Sequence, residues 1–186
     1  MQYVFFDIEC ACVYKNVAKI CVFGYVIADE NFNILKKADI LINPNGKFHL
    51  TDRGGEGIVL PYDYDDFKNY PDFRNFYGEI KDILEGEDKL VFGHAVINDV
   101  RYLNLETIRY KLPSFSFSFA DTQILYMAMT ETFDRQAGLE SLTQVFEIDY
   151  TPHCAADDAY ATMCIAREMC VKADCTLAQL LKKYDI

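Results

Sequence analysis

Hydrophobic positions come first as continuous runs and later at helical spacing. Residues 2–8 (QYVFFDI) have the β-branched and aromatic character of a buried strand, and 20–28 and 33–42 repeat it. Asp29–Asn33 reads as a tight hairpin connection between the last two. Residues 43–72, with PNG, GG and PYDYDD, predict a long loop or insertion. Helical spacing then appears at 73–85, a strand at 89–93 and a helix at 97–110. The strict alternation of FSFSF predicts a strand at 115–119. Helices follow at 121–131, 138–146, 154–173 and 176–184. Three meandering strands followed by strand–helix alternation predict one α/β domain, residues 1–186, with a mixed central sheet.

Within the first strand the pattern is broken by Asp7 and Glu9. Side chains alternate across a strand, so both carboxylates share a face with Tyr3 and Phe5. Two like charges in an apolar setting are costly unless a cation lies between them. Either the strand runs out into solvent at Glu9, or the pair are metal ligands. Asp99, in GHAVINDVRYL, stands where a strand ends and a helix begins, a position that the helix dipole alone favours for a carboxylate. In PHCAADDAYATMCIAREM, Asp158 shares a helical stripe with Ile165 and Met169, and Asp157 with Cys164 and Glu168. Asp158 is therefore expected to face inward and Asp157 to be the wetter of the two. His153, just before that helix, becomes a candidate general base.

Composition narrows the setting. Half the residues are hydrophobic, and no apolar run approaches the ~20 residues of a membrane span. The first strand begins almost at Met1, leaving no apparent cleavable signal, so a cytoplasmic protein is expected. The seven cysteines include no CxxC pair, which argues for reduced thiols and against a disulfide framework or zinc finger. A net charge of −11 argues against broad electrostatic binding of a duplex. An acidic chain with no basic stripe is expected to gain little from distant phosphates, so affinity for a strand should come from its last few nucleotides, with a shallow salt dependence. Tyr62, Tyr64, Phe67 and Tyr70 could stack on bases or simply pin the loop to the core.

Together, DxE on the first strand, an aspartate after a GH-containing strand end and a closing HxxxxD resemble the DEDDh, or DnaQ-like, 3′–5′ exonucleases, over nearly the whole chain. The resemblance implies an RNase H-like fold, a five-stranded mixed sheet flanked by helices. It makes Asp7, Glu9, Asp99 and Asp158 ligands of two Mg²⁺ or Mn²⁺ ions, with His153 as general base. The expected partner is a single-stranded 3′ end of DNA or RNA, and the product a nucleoside 5′-monophosphate. The chain departs from the family at Cys10, Ala11 and Cys12, while Asn98 before Asp99 looks more like the RNA-trimming eukaryotic relatives. Two other readings remain: a catalytically silent exonuclease fold that only binds, and a phosphoesterase acting on short oligonucleotides.

Overall fold

A computed structural model describes residues 1–50, 59–134 and 136–186. Part of the expected 43–72 loop, residues 51–58, lies outside the described residues. One five-stranded mixed sheet organises the molecule: β1 (Gln2–Tyr14), β2 (Val17–Ala28), β3 (Ile34–Leu41), β4 (Lys89–Gly93) and β5 (Phe119–Asp121). Its spatial order is β3-β2-β1-β4-β5, with β1–β2 and β2–β3 antiparallel and β1–β4 and β4–β5 parallel. In chain order α1 (Phe73–Leu84) links β3 to β4 and α2 (Ile97–Tyr110) links β4 to β5, and both cover one face. Covering the other face are α3 (Thr122–Thr130), α4 (Leu139–Val145), α5 (Ala155–Ala173) and α6 (Leu177–Tyr184).

Alternation along β1 feeds both sides of the sheet. Tyr3 and Phe5 join the core under α3–α6, while Val4, Phe6 and Ile8 join the core under α1 and α2. Phe5 stacks on Phe92 with ring centroids 5.0 Å apart. Burying each such aromatic contributes roughly 1.5–3 kcal/mol, so the central strands anchor the fold. The β2–β3 connection forms as expected: the Asp29 carboxylate accepts from the amides of Asn31 and Asn33 at 2.9 and 2.8 Å.

β2 begins at Val17, three residues before the expected start, and two larger differences from the sequence reading stand out. β1 does not stop at residue 8 but continues to Tyr14, passing two irregularities around Glu9, Cys10 and Cys12. Bulges of this kind absorb an extra residue and increase twist, so pairing with β2 continues beyond the carboxylates. The second difference is at FSFSF. Phe115 and Phe117 do turn inward, Phe117 meeting Phe6 edge-on at 6.2 Å, but the ladder to β4 begins only at Phe119. Alternation there reports side-chain packing, not strand pairing.

The described parts of the 43–72 loop are pinned by aromatics. Tyr64 stacks on Phe48 at 4.5 Å, and Phe67, 2% exposed, joins Ala11, Val22 and Ala155 in a third apolar cluster. No helix among the described residues is long and apolar enough to cross a membrane.

Candidate active site

Three elements converge midway along β1. Asp7 and Glu9 project from the face covered by α5, and Asp99 is the third residue of α2. Asp158 is the fourth residue of α5. Asp99 and Asp158 are each 6% exposed. Glu9, His153 and Asp158 place ligand-type atoms within 4.8 Å of one another. His153 Nδ1 is 3.9 Å from Glu9 Oε1, with the histidine side chain half exposed. Asp7 and Asp99 lie outside that trio but are close enough to act on it electrostatically.

The paired aspartates divide as their helical stripes predict. Asp157 forms an ion pair with Lys37 on β3; partial burial raises its carboxyl, but the hydrogen bonds of Lys37 and Thr151 and the Lys37 charge together hold it below the usual range. Asp158 turns inward. His153 takes a left-handed conformation (φ 62°), at a cost of order 1–3 kcal/mol for a residue with a Cβ. In return its backbone amide hydrogen-bonds Asp158, and its ring is presented beside Glu9.

Charge repulsion dominates the site. Burial, then the charge of Asp39, raises the Asp7 carboxyl to about 7. Burial and then Asp7, Asp158 and Asp39 raise Glu9 to about 9. Burial and chiefly Asp7 raise Asp158 to about 8. Asp99 is pushed well above the carboxylate range by burial and Asp7, against amide hydrogen bonds from Asp99 itself and Ile8. Among the described residues, no lysine or arginine pairs with any of the four. A donor set of four carboxylates lacking a countercharge fits a hard divalent cation.

Two carboxylates outside the predicted set build this arrangement. Neither Val96 nor Cys154, the N-cap residues of α2 and α5, caps its helix with a side chain. Asp121, at the end of β5, supplies the first helix: its carboxylate accepts from Ala95 N and Val96 N, both at 3.0 Å. It also accepts from Gln123 N at 2.8 Å, capping α3. Asp39 on β3 serves α5, accepting from Ala156 N at 2.8 Å and from the Tyr62 hydroxyl at 3.0 Å. Between Asp7 and Asp39 the register places Gly24. A Cβ there would collide with the Ala155 and Ala156 backbone, so only glycine lets α5 start this close to the sheet. A faint signal existed in the sequence: Asp39 interrupts an apolar run, as Asp7 and Glu9 do.

These features define an RNase H-like fold with a carboxylate-lined site midway along its central strand. The family model of the RNase_T exonucleases matches residues 4–166, so the chain belongs to that exonuclease family. Among curated proteins it is 25% identical over 170 residues to the PolC-type DNA polymerase III of Ureaplasma parvum serovar 3 (strain ATCC 700970). That match covers 88% of this chain and 11% of the polymerase. The nuclease domain of 3'hExo, a DEDDh family member bound to rAMP, superposes with a TM-score of 0.74 at 17% identity, covering 94% of this chain and 93% of that one. E. coli exonuclease I in complex with the oligonucleotide dT13 gives a TM-score of 0.69 at 17% identity, covering 93% of this chain and 42% of that one.

Proposed function

We propose that residues 1–186 act as one domain, a metal-dependent 3′–5′ exonuclease that releases nucleoside 5′-monophosphates from single-stranded 3′ ends. The observation carrying this reading is the cluster of four uncompensated carboxylates with an exposed imidazole beside it. The oligonucleotide held by exonuclease I and the rAMP held by the 3'hExo domain support a nucleic-acid substrate.

Asp7, Glu9, Asp99 and Asp158 would hold two Mg²⁺ or Mn²⁺ ions. When bound, such ions supply positive charge at both the attacking and the leaving oxygen of an in-line phosphoryl displacement. His153 is the general base: the oxygen of the attacking water bonds to phosphorus while a ring nitrogen of His153 takes its proton. The bond from phosphorus to the 3′ oxygen breaks, and that oxygen gains a proton from solvent. Glu9 and Asp158, within 4.8 Å of the imidazole's ligand atom, favour the imidazolium that forms. The left-handed turn at His153 and the Asp39 tether fix the ring's position relative to β1.

The test is digestion of matched 3′-labelled DNA and RNA, single- and double-stranded, with Mg²⁺ or Mn²⁺ and with chelator. Mononucleotide release that needs the cation is expected. Release that survives chelation would overturn the reading.

A further inference from the structure

The charge of this chain is unevenly spread. Three segments far apart in sequence, residues 10–19, 43–50 and 97–111, pack side by side. Arg101 Nη2 donates to Lys15 O at 2.7 Å, joining α2 to the β1–β2 turn. His49 N donates to Ala11 O at 2.7 Å, and Lys19 Nζ reaches Asn45 O at 3.4 Å. Arg109 Nη2 donates to Pro44 O at 2.9 Å, closing the set.

These segments contain six of the eighteen basic residues and two of the twenty-nine acidic ones. Both acids are hidden: Asp99 is 6% exposed and Glu106, bonded to Arg109 and to Ile20 N, is 1% exposed. The three segments therefore expose no carboxylate. Lys15, Lys19, Lys47, Arg101 and Lys111 have no acidic partner among the described residues. Elsewhere Lys37, Arg74, Lys81 and Arg167 are each paired with an acid, while Lys36, Lys68, Lys89, Lys172, Lys182 and Lys183 have no such pair among the described residues but share that surface with the acidic majority. The remainder of the chain carries twelve basic residues against twenty-seven acidic ones.

The stripe adjoins the carboxylates. Arg101 is two residues beyond Asp99 on α2, and Lys15, in the turn just past the end of β1, is six residues beyond Glu9, roughly 20 Å at the rise of a strand. Tyr14, 65% exposed, stands at the hairpin tip beside Lys15. Unpaired cations in a row with an interleaved aromatic are what a single strand needs, its phosphates meeting the charge and a base meeting the ring. We infer that this hairpin–α2 face is the track for the phosphate backbone of the substrate strand, upstream of the scissile nucleotide. The inference rests on the exonuclease reading and adds to it where the strand runs. Acidity over the rest of the surface confines a polyanion to this track.

The test measures binding of a fluorescent dinucleotide and of a strand of about fifteen nucleotides across a salt series. The combined Lys15→Gln, Lys19→Gln, Arg101→Gln variant should lose about tenfold or more in affinity for the long strand, and its salt slope should fall by about 2. Because Arg101 also bonds the hairpin, Lys47→Gln with Lys111→Gln is the second variant, with a fall in slope of about 1 expected. Lys172→Gln with Lys182→Gln, outside the stripe, serves as the control and should match wild type. Equal affinity and slope in both stripe variants would overturn the track. Unchanged strand binding with lost flotation on anionic vesicles would overturn it in favour of a membrane surface. The exonuclease reading is judged separately, by whether wild type releases mononucleotide from the dinucleotide.

Discussion

The N-termini of α2 and α5 flank the same strand and each brings one aspartate to it, yet they are tethered differently. Asp121, which holds α2, is a buried fastening with three backbone donors on a single carboxylate. Asp39, which holds α5, donates its charge to the site as well. It is among the charges raising Asp7, Glu9 and Asp158, and Asp121 is not. It is also linked through Tyr62 to the long loop. One tether is structural support, and the other ties the helix position to the charge state of the carboxylates.

The largest effect should come from what the helices carry. Asp99→Asn and Asp158→Asn should each lower mononucleotide release with Mg²⁺ by orders of magnitude, because each removes a carboxylate from the proposed cation site. Asp157→Asn should change it only a few-fold, since that side chain pairs with Lys37 instead. Equal losses at Asp157 and Asp158 would break the reading of α5.

Stability should separate the tethers. Asp121→Ala leaves three backbone amides without their acceptor, which costs about 2–4 kcal/mol in urea denaturation. Asp39→Ala, measured in chelator, should cost clearly less, because losing one backbone, one hydroxyl and one weak thiol hydrogen bond is offset by relief of repulsion on Asp7, Glu9 and Asp158. A larger loss at Asp39 than at Asp121 would reverse the comparison.

The same difference should show in pH dependence. Asp7, Glu9 and Asp158 have pKa values raised in the fold to about 7, 9 and 8, so the metal-free folded state binds more protons than the unfolded chain. Their contribution is fully present below the ordinary carboxylate pKa of about 4 and is lost as pH rises through those folded values. Denaturation midpoints in chelator should therefore fall between about pH 4 and 9. Asp39→Asn should flatten that slope and Asp121→Asn should leave it unchanged. A midpoint that rises over this window would contradict the uncompensated cluster.

How far the sequence reveals this depends on whether a residue's reason is local. Asp7 and Glu9 are conspicuous because they interrupt an apolar strand, and Asp158 because its helical stripe is apolar. The fold brings both β1 carboxylates, Asp99, Asp158 and His153 to one place. Asp121 can be read as a helix start, but not as the acceptor for amides twenty-five residues earlier. Asp39 looks like a misplaced polar residue until α5 is laid over Gly24. The basic stripe is absent from the linear order because three segments supply it, and packing alone brings them together. Phe115 and Phe117 mark the opposite error, a local pattern that packs inward without making the ladder it suggests.

The smallest effect belongs to the link between loop and helix. The Tyr62 hydroxyl donates to Asp39 at 3.0 Å and accepts from Ala155 N at 3.3 Å, so one oxygen joins the loop to the first turn of α5. Removing it leaves the ring's packing against Phe67 and the apolar cluster intact. Tyr62→Phe should therefore cost only about 1 kcal/mol of stability, the net value of a typical hydrogen bond. The position of α5 should suffer more than its folding, because Ala156 N still reaches Asp39 but the carboxylate is left with only the weak Cys154 thiol to orient its other oxygen. Turnover is expected to fall a few-fold while KM for a dinucleotide stays near wild type, since the hydroxyl lies on the helix side of Asp39. If kcat is unchanged and only loop proteolysis rises, Tyr62 merely pins the loop, and the α5 tether ends at Asp39.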